Sequence, residues 1–213
     1  MTEGTATIFM VDDDEGVRRA VTRLIRSVGY NVESFATAKD FLQCTKCVNG
    51  PSCLVLDVGL PDTNGLELQL LLNAQNVIMP IVFLSGEGDI AMTVRAMKAG
   101  ATDFLTKPVG EDVLLCAIGK ALQRSAEAMT RRVETDSICG RMARLTPREK
   151  EVLNLLLEGR MNKQVACDLG IAEKTIKVHR ARVMEKMEIR TLVELVRVTD
   201  KVLNVSVISS TLF

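Results

Sequence analysis

Four short apolar runs, each followed by a charged or hydroxyl side chain, constrain the fold of this chain more than any other feature. Residues 53–56 form such a run and lead directly into Asp57. A short apolar run bounded by turn residues is typical of a buried strand in a parallel sheet. The remaining runs, residues 8–11, 81–84 and 104–106, lead into Asp12, Ser85 and Lys107. Because ligands of such sheets bind beyond the carboxyl ends of the strands, we expect these side chains to converge at one edge.

Helical patterns alternate with strand patterns in the first part of the chain. Residues 15–28 carry apolar side chains at positions i, i+4, i+7, i+8 and i+11, which is the spacing of one helical face. Five such alternations predict an α/β fold, a doubly wound five-stranded parallel sheet, for residues 1–125. We expect the fifth helix to end near Thr130, within a polar linker of residues 126–143.

The remaining residues, 144–213, predict a small all-α domain of four helices that contains a helix-turn-helix. Residues 146–149 read Thr-Pro-Arg-Glu, which combines an N-cap, a proline at the first helical position and a glutamate three residues after the cap. A short helix then leads to Gly170, which can supply the positive φ of a tight turn. The third helix of this domain is expected over residues 173–187.

The zero net charge of the chain conceals two segments of opposite charge. Residues 1–140 contain 13 Lys+Arg and 18 Asp+Glu, whereas residues 141–213 contain 14 and 9. The basic segment indicates a polyanionic partner such as nucleic acid. No apolar run approaches the roughly 20 residues of a membrane span, and the N-terminus lacks a signal-peptide pattern. We therefore expect a cytoplasmic protein without membrane contact.

The six cysteines are expected to be reduced thiols. Cys44 and Cys47 have the spacing of a metal or redox pair, but no second pair accompanies them and the single histidine lies in the other half of the chain. We assign no role to these two residues or to Cys53.

The expected cluster of carboxylates indicates phosphoryl chemistry. Asp12, Asp13 and Asp57 would repel one another unless a divalent cation such as Mg²⁺ or Mn²⁺, which prefers oxygen ligands, neutralised them. A carboxylate beside such a cation can attack phosphorus and form an aspartyl phosphate. Lys107 and the Ser85 hydroxyl are suited to stabilising the charge that develops.

These residues resemble the motifs of two known domain families. Residues 1–125 resemble receiver domains of two-component response regulators, through Asp12-Asp13, Asp57-x-x-x-Pro61-x-x-x-Gly65, Ser85-Gly86 and Lys107-Pro108. Residues 145–205 resemble the LuxR-type DNA-binding domain, through residues 145–153, Gly159, Asn162-Lys163, Ala166, Leu169-Gly170 and 175–180. The whole chain resembles a FixJ/NarL-type transcriptional regulator.

The resemblance implies a role for each residue at the sheet edge. Asp57 would be the phosphoacceptor, assisted by Lys107 and Ser85, and Ser85 with Phe104 would form the switch pair. The metal ligands would be Asp12, Asp13, Asp57 and the backbone carbonyl of Gly59. Gly59 departs from the larger residue common at its position, which bears on how well the phosphoryl group is shielded from water.

The resemblance also implies the partners. A sensor histidine kinase would phosphorylate the receiver, which would then dimerise through the face around its fourth helix, fifth strand and fifth helix. The homodimer would bind promoter DNA, with RNA polymerase as a further partner. The chain would thus be a regulator and not an enzyme.

The outer face of the third helix of the second domain carries the expected DNA contacts. Lys177 could reach a guanine edge and Val178 could pack on a thymine methyl. Phosphate contacts are expected from Lys163, Thr175, Arg180 and Arg182. Lys174 and Ala181 complete this face. His179 is interpreted as a packing residue, with phosphate donation as the alternative.

Two other functions remain open from the residues alone. A phosphohydrolase with an aspartyl nucleophile would usually need a second acid two residues after Asp57, where this chain has Gly59. An adaptor that never becomes phosphorylated would not need the complete set of Asp57, Ser85 and Lys107.

Overall fold

The computed structural model describes residues 6–44, 50–75, 77–86 and 89–210, with side chains as far as residue 202. This part of the chain divides into two compact units, and the boundary falls between Thr130 and Arg131. Within the same ranges, no helix combines the length and apolar character needed to cross a membrane.

The first unit contains the predicted α/β sheet. Its strands are β1 Thr7–Val11, β2 Asn31–Phe35, β3 Ser52–Asp57, β4 Ile81–Ser85 and β5 Asp103–Thr106. Its helices are α1 Glu15–Ser27, α2 Ala38–Cys44, α3 Gly65–Ala74 and α4 Ile90–Lys98, together with the part of α5 Glu111–Ala143 that precedes Arg131. Among the described residues, the five strands are parallel and lie in the order β2-β1-β3-β4-β5. The doubly wound sheet predicted from the sequence is confirmed.

Strand β3 lies in the middle of the sheet and is buried along its whole length. Because successive side chains point to opposite faces, Leu54 and Leu56 join a cluster with residues of α2, α3 and α4. Cys53 and Val55 join a second cluster with residues of α1 and α5. This packing on both faces holds the end of β3, and therefore Asp57, in a fixed place.

The second unit contains the predicted helix-turn-helix. Its helices are α6 Pro147–Leu157, α7 Asn162–Asp168, α8 Glu173–Lys186 and α9 Leu192–Ser210. Gly170 has a φ of +64° in the turn between α7 and α8, as predicted. Ile176 and Val183, one face of α8, are fully buried against the other helices of the unit.

Helix α5 is longer than predicted. It continues to Ala143, so the expected helix end near Thr130 was wrong and residues 126–143 are helical. The polar sequence here suits an exposed helix and contains no proline. Ile138 is 3% exposed and packs in the core of the second unit, so tertiary contacts stabilise the extension.

Candidate functional site

The carboxyl ends of β1, β3 and β5 bring Lys107 into direct contact with Asp12 and Asp57. The Lys107 ammonium group donates to Asp12 Oδ2 at 2.7 Å and to Asp57 Oδ1 at 2.8 Å. Asp12 is fully buried and Asp57 is 6% exposed. The predicted convergence of strand-end side chains at one edge of the sheet is therefore present for the two acids and the lysine.

The three consecutive acids after β1 differ in burial and in the contacts that their carboxylates make. Asp12 Oδ1 accepts from the backbone N–H of Asp14 at 2.9 Å, which fixes the buried carboxylate. Asp13 is exposed. Asp14 is the N-cap of α1, and its Oδ1 accepts from the N–H groups of Gly16 at 2.7 Å and Val17 at 3.1 Å. Only the first two acids are thus available to the pocket.

The pocket has the donor set of a hard divalent cation. One carboxylate oxygen from each of Asp12, Asp13 and Asp57 lies within 4.8 Å of the other two. A single lysine does not neutralise three carboxylates, and oxygen ligands are those that Mg²⁺ and Mn²⁺ prefer. The residues therefore fit a divalent metal site.

Burial and ion pairing set the protonation of the pocket. Burial raises the pKa of Asp12, and the hydrogen bond from Lys107 lowers it. Because the effect of burial is the larger one, the pKa lies above its usual range. Burial also lowers the pKa of Lys107, but its hydrogen bonds to Asp12 and Asp57 outweigh that effect and leave the pKa raised. The lysine is therefore a permanent cation at neutral pH.

The loop after β3 lies close to Asp57. The Gly59 N–H donates to Asp57 Oδ2 at 3.0 Å. A Cβ at Gly59 would lie 3.5 Å from the same oxygen, whereas a Cβ at Gly65 would lie 2.5 Å from the Asp57 carbonyl. The chain thus tolerates a side chain at position 59 but not at position 65.

The two residues expected to form the switch lie on neighbouring strands. Ser85 ends β4, is 5% exposed, and its carbonyl accepts from the Lys107 N–H at 2.7 Å. Phe104 lies in β5, is half-buried, and its ring packs against Phe83 with centroids 5.9 Å apart. The Lys107-Pro108 peptide bond that follows β5 is cis.

The second unit presents most of the predicted DNA-contacting residues to solvent. The exposed ones are Lys163, Lys174, Thr175, Lys177, Val178, Ala181 and Arg182. Arg180 differs from expectation, because it is half-buried and donates to Asn162 Oδ1 at 3.1 Å. Nδ1 of His179 is buried and has no hydrogen-bond partner among the described residues, which is consistent with a packing role.

Two contacts of the predicted site residues, one in each unit, were not predicted from the sequence. Arg18 donates to the carbonyls of Asp12 at 2.7 Å and Asp13 at 3.2 Å, across one turn of α1. Lys177 pairs with Glu173 at 3.2 Å. The i,i+4 spacing of Glu173 and Lys177 was visible in the sequence. Because both side chains are exposed, this ion pair contributes only about 0.3–0.5 kcal/mol to stability.

Among the cysteines that the structure describes, none belongs to a metal cluster or a disulfide. The five that the structure describes are free thiols, and Cys47 lies outside the described residues. Cys53 is fully buried in β3, and burial raises its pKa to about 12. Such a thiol is unreactive.

Comparisons with known proteins match both units. The family model of the response regulator receiver domain matches residues 8–119, and that of the luxR family of bacterial regulatory proteins matches residues 143–199. Nodulation protein W of Bradyrhizobium diazoefficiens is 45% identical over 195 residues, 92% of this chain and 86% of that protein. Response regulator protein TodT of Pseudomonas putida is 40% identical over 201 residues, 94% of this chain and 88% of TodT. The solved structure of the response regulator StyR has a TM-score of 0.80 and 46% identity, covering 93% of this chain and 100% of that chain.

The parallel sheet with its acidic pocket, followed by a helix-turn-helix unit, defines a regulator that joins a receiver to a DNA-binding domain. The two family-model matches and the similarity to relatives over most of their length identify the family within this class. The chain belongs to the two-component response regulators with a LuxR-family DNA-binding domain. It is a phosphorylation-dependent transcriptional regulator, and its domains imply a kinase partner and DNA as a ligand.

Proposed function

We propose that Asp57 is the residue that accepts the phosphoryl group, from a sensor histidine kinase. The observation that carries this assignment is the pair of contacts from Lys107 to Asp12 and Asp57 at the end of the central strand. Asp57 is the one carboxylate of the pocket that ends this strand, and its two oxygens are oriented by different donors.

The chemistry follows from these contacts. An oxygen of Asp57 forms the new P–O bond while the P–N bond of the donor phosphohistidine breaks. Lys107 exchanges its contact with Asp57 for one with a phosphoryl oxygen, and the Ser85 hydroxyl donates to another. Asp12 retains its hydrogen bond to Lys107 and so keeps the ammonium group directed at the pocket.

A divalent cation completes the site in this proposal. Asp12, Asp13, Asp57 and the backbone carbonyl of Gly59 would hold Mg²⁺ or Mn²⁺. The bound cation would neutralise the carboxylates and the charge on the phosphoryl oxygens.

Phosphorylation would then be transmitted to DNA binding. Ser85 and Phe104 would rearrange and alter the face formed by α4, β5 and α5, through which the receiver domains of two chains would dimerise. The dimer would bind promoter DNA through α8 and contact RNA polymerase in the cytoplasm. We assign residues 1–125 to the receiver, 126–143 to a helical connection and 144–213 to the DNA-binding domain.

The contacts of α8 with DNA would be of two kinds. Lys177 and Val178 would read base edges, while polar side chains around them would position the helix on phosphates. The charge of α8 suits this division, because its exposed cations attract any duplex and only a few side chains reach the bases. The phosphate contacts would come from Lys163, Thr175 and Arg182, with Arg180 joining them after release from Asn162. Lys174 and Ala181 complete the face.

Phosphorylation by a small donor tests the proposal. The full chain incubated with acetyl phosphate and Mg²⁺ should gain the mass of one phosphoryl group, and the adduct should be labile to hydroxylamine, as acyl phosphates are. Asp57→Asn should gain none, because an amide is not nucleophilic enough to attack phosphorus. The same reaction in EDTA should fail. Labelling of the Asn variant equal to wild type would remove Asp57 from the mechanism, and full labelling in EDTA would remove the metal.

A further inference from the structure

Helix α2 begins with backbone N–H groups that need acceptors from outside the helix, as every helix does. The side chain of Thr37 serves one of them, because its Oγ1 accepts from the Asp40 N–H at 3.1 Å. The other two acceptor contacts come from a distant part of the chain. Asp62 accepts from the Ala38 N–H at 3.3 Å and from the Lys39 N–H at 3.0 Å.

Asp62 belongs to the loop that follows Asp57, and this loop has few other polar anchors. Its beginning is held at Val58, which bonds to Leu84 and Gly65, and its end is held by Asn64, the N-cap of α3. Pro61 has no N–H to contribute. Between those two ends, Thr63 Oγ1 donates to Glu67 Oε2 of α3 at 3.1 Å. The Asp62 carboxylate supplies the hydrogen bonds that join the loop to α2.

The position of Asp62 matters because Gly59 lies three residues before it in the same loop. Its N–H orients Asp57 Oδ2 at 3.0 Å, and its carbonyl is the proposed fourth metal ligand. A backbone carbonyl has no side-chain rotamer to adjust, so only the course of the loop can place it. Groups that orient metal ligands from outside the coordination sphere affect metal affinity strongly.

We infer that Asp62 is a positioning residue, which holds the metal-binding loop in place by capping the start of α2. This inference rests on the proposed metal site. The N-terminus of α2 serves as a fixed point because α2 is packed through Phe41, which is fully buried in the core.

A matched pair of variants tests this role. Asp62→Ala removes both contacts between the loop and α2, whereas Thr37→Ala removes the local cap of the same helix and leaves the loop untouched. The Thr37 hydroxyl contacts only Asp40 in the contacts described, at 2.8 Å and 3.1 Å. Both variants weaken the start of α2, but only the first one releases the loop. Asp62→Asn keeps one acceptor oxygen and should be intermediate.

Direct Mg²⁺ titration of the full chain, followed by the amide resonances of Gly59 and its neighbours, gives the dissociation constant without any phosphorylation step. Asp62→Ala should weaken Mg²⁺ binding by about tenfold, the lower end of the effects of such orienting groups. Thr37→Ala should leave it within about twofold of wild type, since it changes no group near the metal.

Each other result overturns the inference. Equal weakening in both variants would mean that the order of α2 matters and not the link made by Asp62. Unchanged binding in Asp62→Ala would mean that the loop is fixed without it. A wild-type chain that binds no Mg²⁺ would refute the metal site itself and, with it, the role of Asp62.

Discussion

Glu149 of the DNA-binding domain offers a prediction whose size and pH dependence can be worked out from its contacts. The side chain is 2% exposed, and its Oε2 accepts from the Thr146 N–H at 2.8 Å and from Lys186 Nζ at 2.6 Å. The first contact closes the capping box of α6. The second ties α6 to the last turn of α8, the proposed recognition helix. We expect Glu149→Gln to destabilise this domain, because glutamine can keep the cap but not the ion pair.

The magnitude follows from the pKa of the carboxyl group. The hydrogen bond from Lys186, together with that from Thr146, lowers the pKa of Glu149 from 4.5 to about 2. A shift of this size corresponds to about 3 kcal/mol of stabilisation. Because the folded pKa is depressed, this contribution is complete above pH 4.5 and is lost as the pH falls toward 2. The stabilisation should be roughly halved near pH 3, which lies between the two pKa values, because the carboxyl group there is mostly protonated in the unfolded state and mostly charged in the folded state.

The assay is urea unfolding of the full chain, followed by amide resonances of α6 so that the domain is observed separately. Glu149→Gln should lose about 1–3 kcal/mol at pH 7, and the deficit should shrink at pH 3. Glu151→Gln is the matched control on the same helix. Its partner Arg148 lies 2.6 Å away, but the Glu151 side chain is 52% exposed, so the loss should stay below about 0.5 kcal/mol at either pH. Equal losses in the two variants, or a Glu149→Gln deficit that does not change with pH, would refute the reasoning.

Two further predictions concern the two ends of the signalling pathway. Gly59→Ala should slow the loss of the phosphoryl group, because its Cβ would lie 3.5 Å from Asp57 Oδ2 and obstruct the approach of water. Mass spectrometry of the phosphorylated chain over time measures the rate of loss, and an unchanged half-life would contradict the prediction. Lys177→Ala should cost about 1–3 kcal/mol on the cognate duplex and less on a scrambled one, whereas Arg182→Ala should weaken both alike and reduce the salt dependence. Binding at several salt concentrations separates the two, and equal losses on both duplexes would show that Lys177 does not read bases.

The sequence was sufficient to predict the sheet and the charged centre of the pocket. A parallel sheet brings the carboxyl ends of its strands to one edge, so Asp12, Asp57 and Lys107 could be expected to meet although up to 95 positions separate them. Their types then restricted the chemistry, because clustered carboxylates need a cation. The roles of Ser85 and Phe104 came from family resemblance and stay predictions, since what they do depends on a second conformation.

Contacts that join separate elements could not be predicted in the same way. Nothing in local periodicity indicates that Asp62 reaches back 24 positions to Ala38, or that Glu149 meets Lys186 across 37 positions. The extension of α5 was missed for a related reason. Its polar residues are equally compatible with a linker and with an exposed helix. The burial of Ile138 decides between the two, and it depends on contacts with residues much later in the sequence.

Two glycines of the loop after Asp57 illustrate how the structure turns a family motif into a physical requirement. Gly65 closes the Asp57-x-x-x-Pro61-x-x-x-Gly65 pattern, and a Cβ there would lie 2.5 Å from the Asp57 carbonyl and 3.1 Å from the Val58 Cα. Both of these are backbone atoms that cannot move aside, so α3 can start against the end of β3 only with glycine. Gly59 faces no such restriction. Gly65 is therefore dictated by the fold. Gly59 instead leaves space beside Asp57, the proposed phosphoacceptor, and we expect a side chain at this position to change how long the phosphoryl group persists.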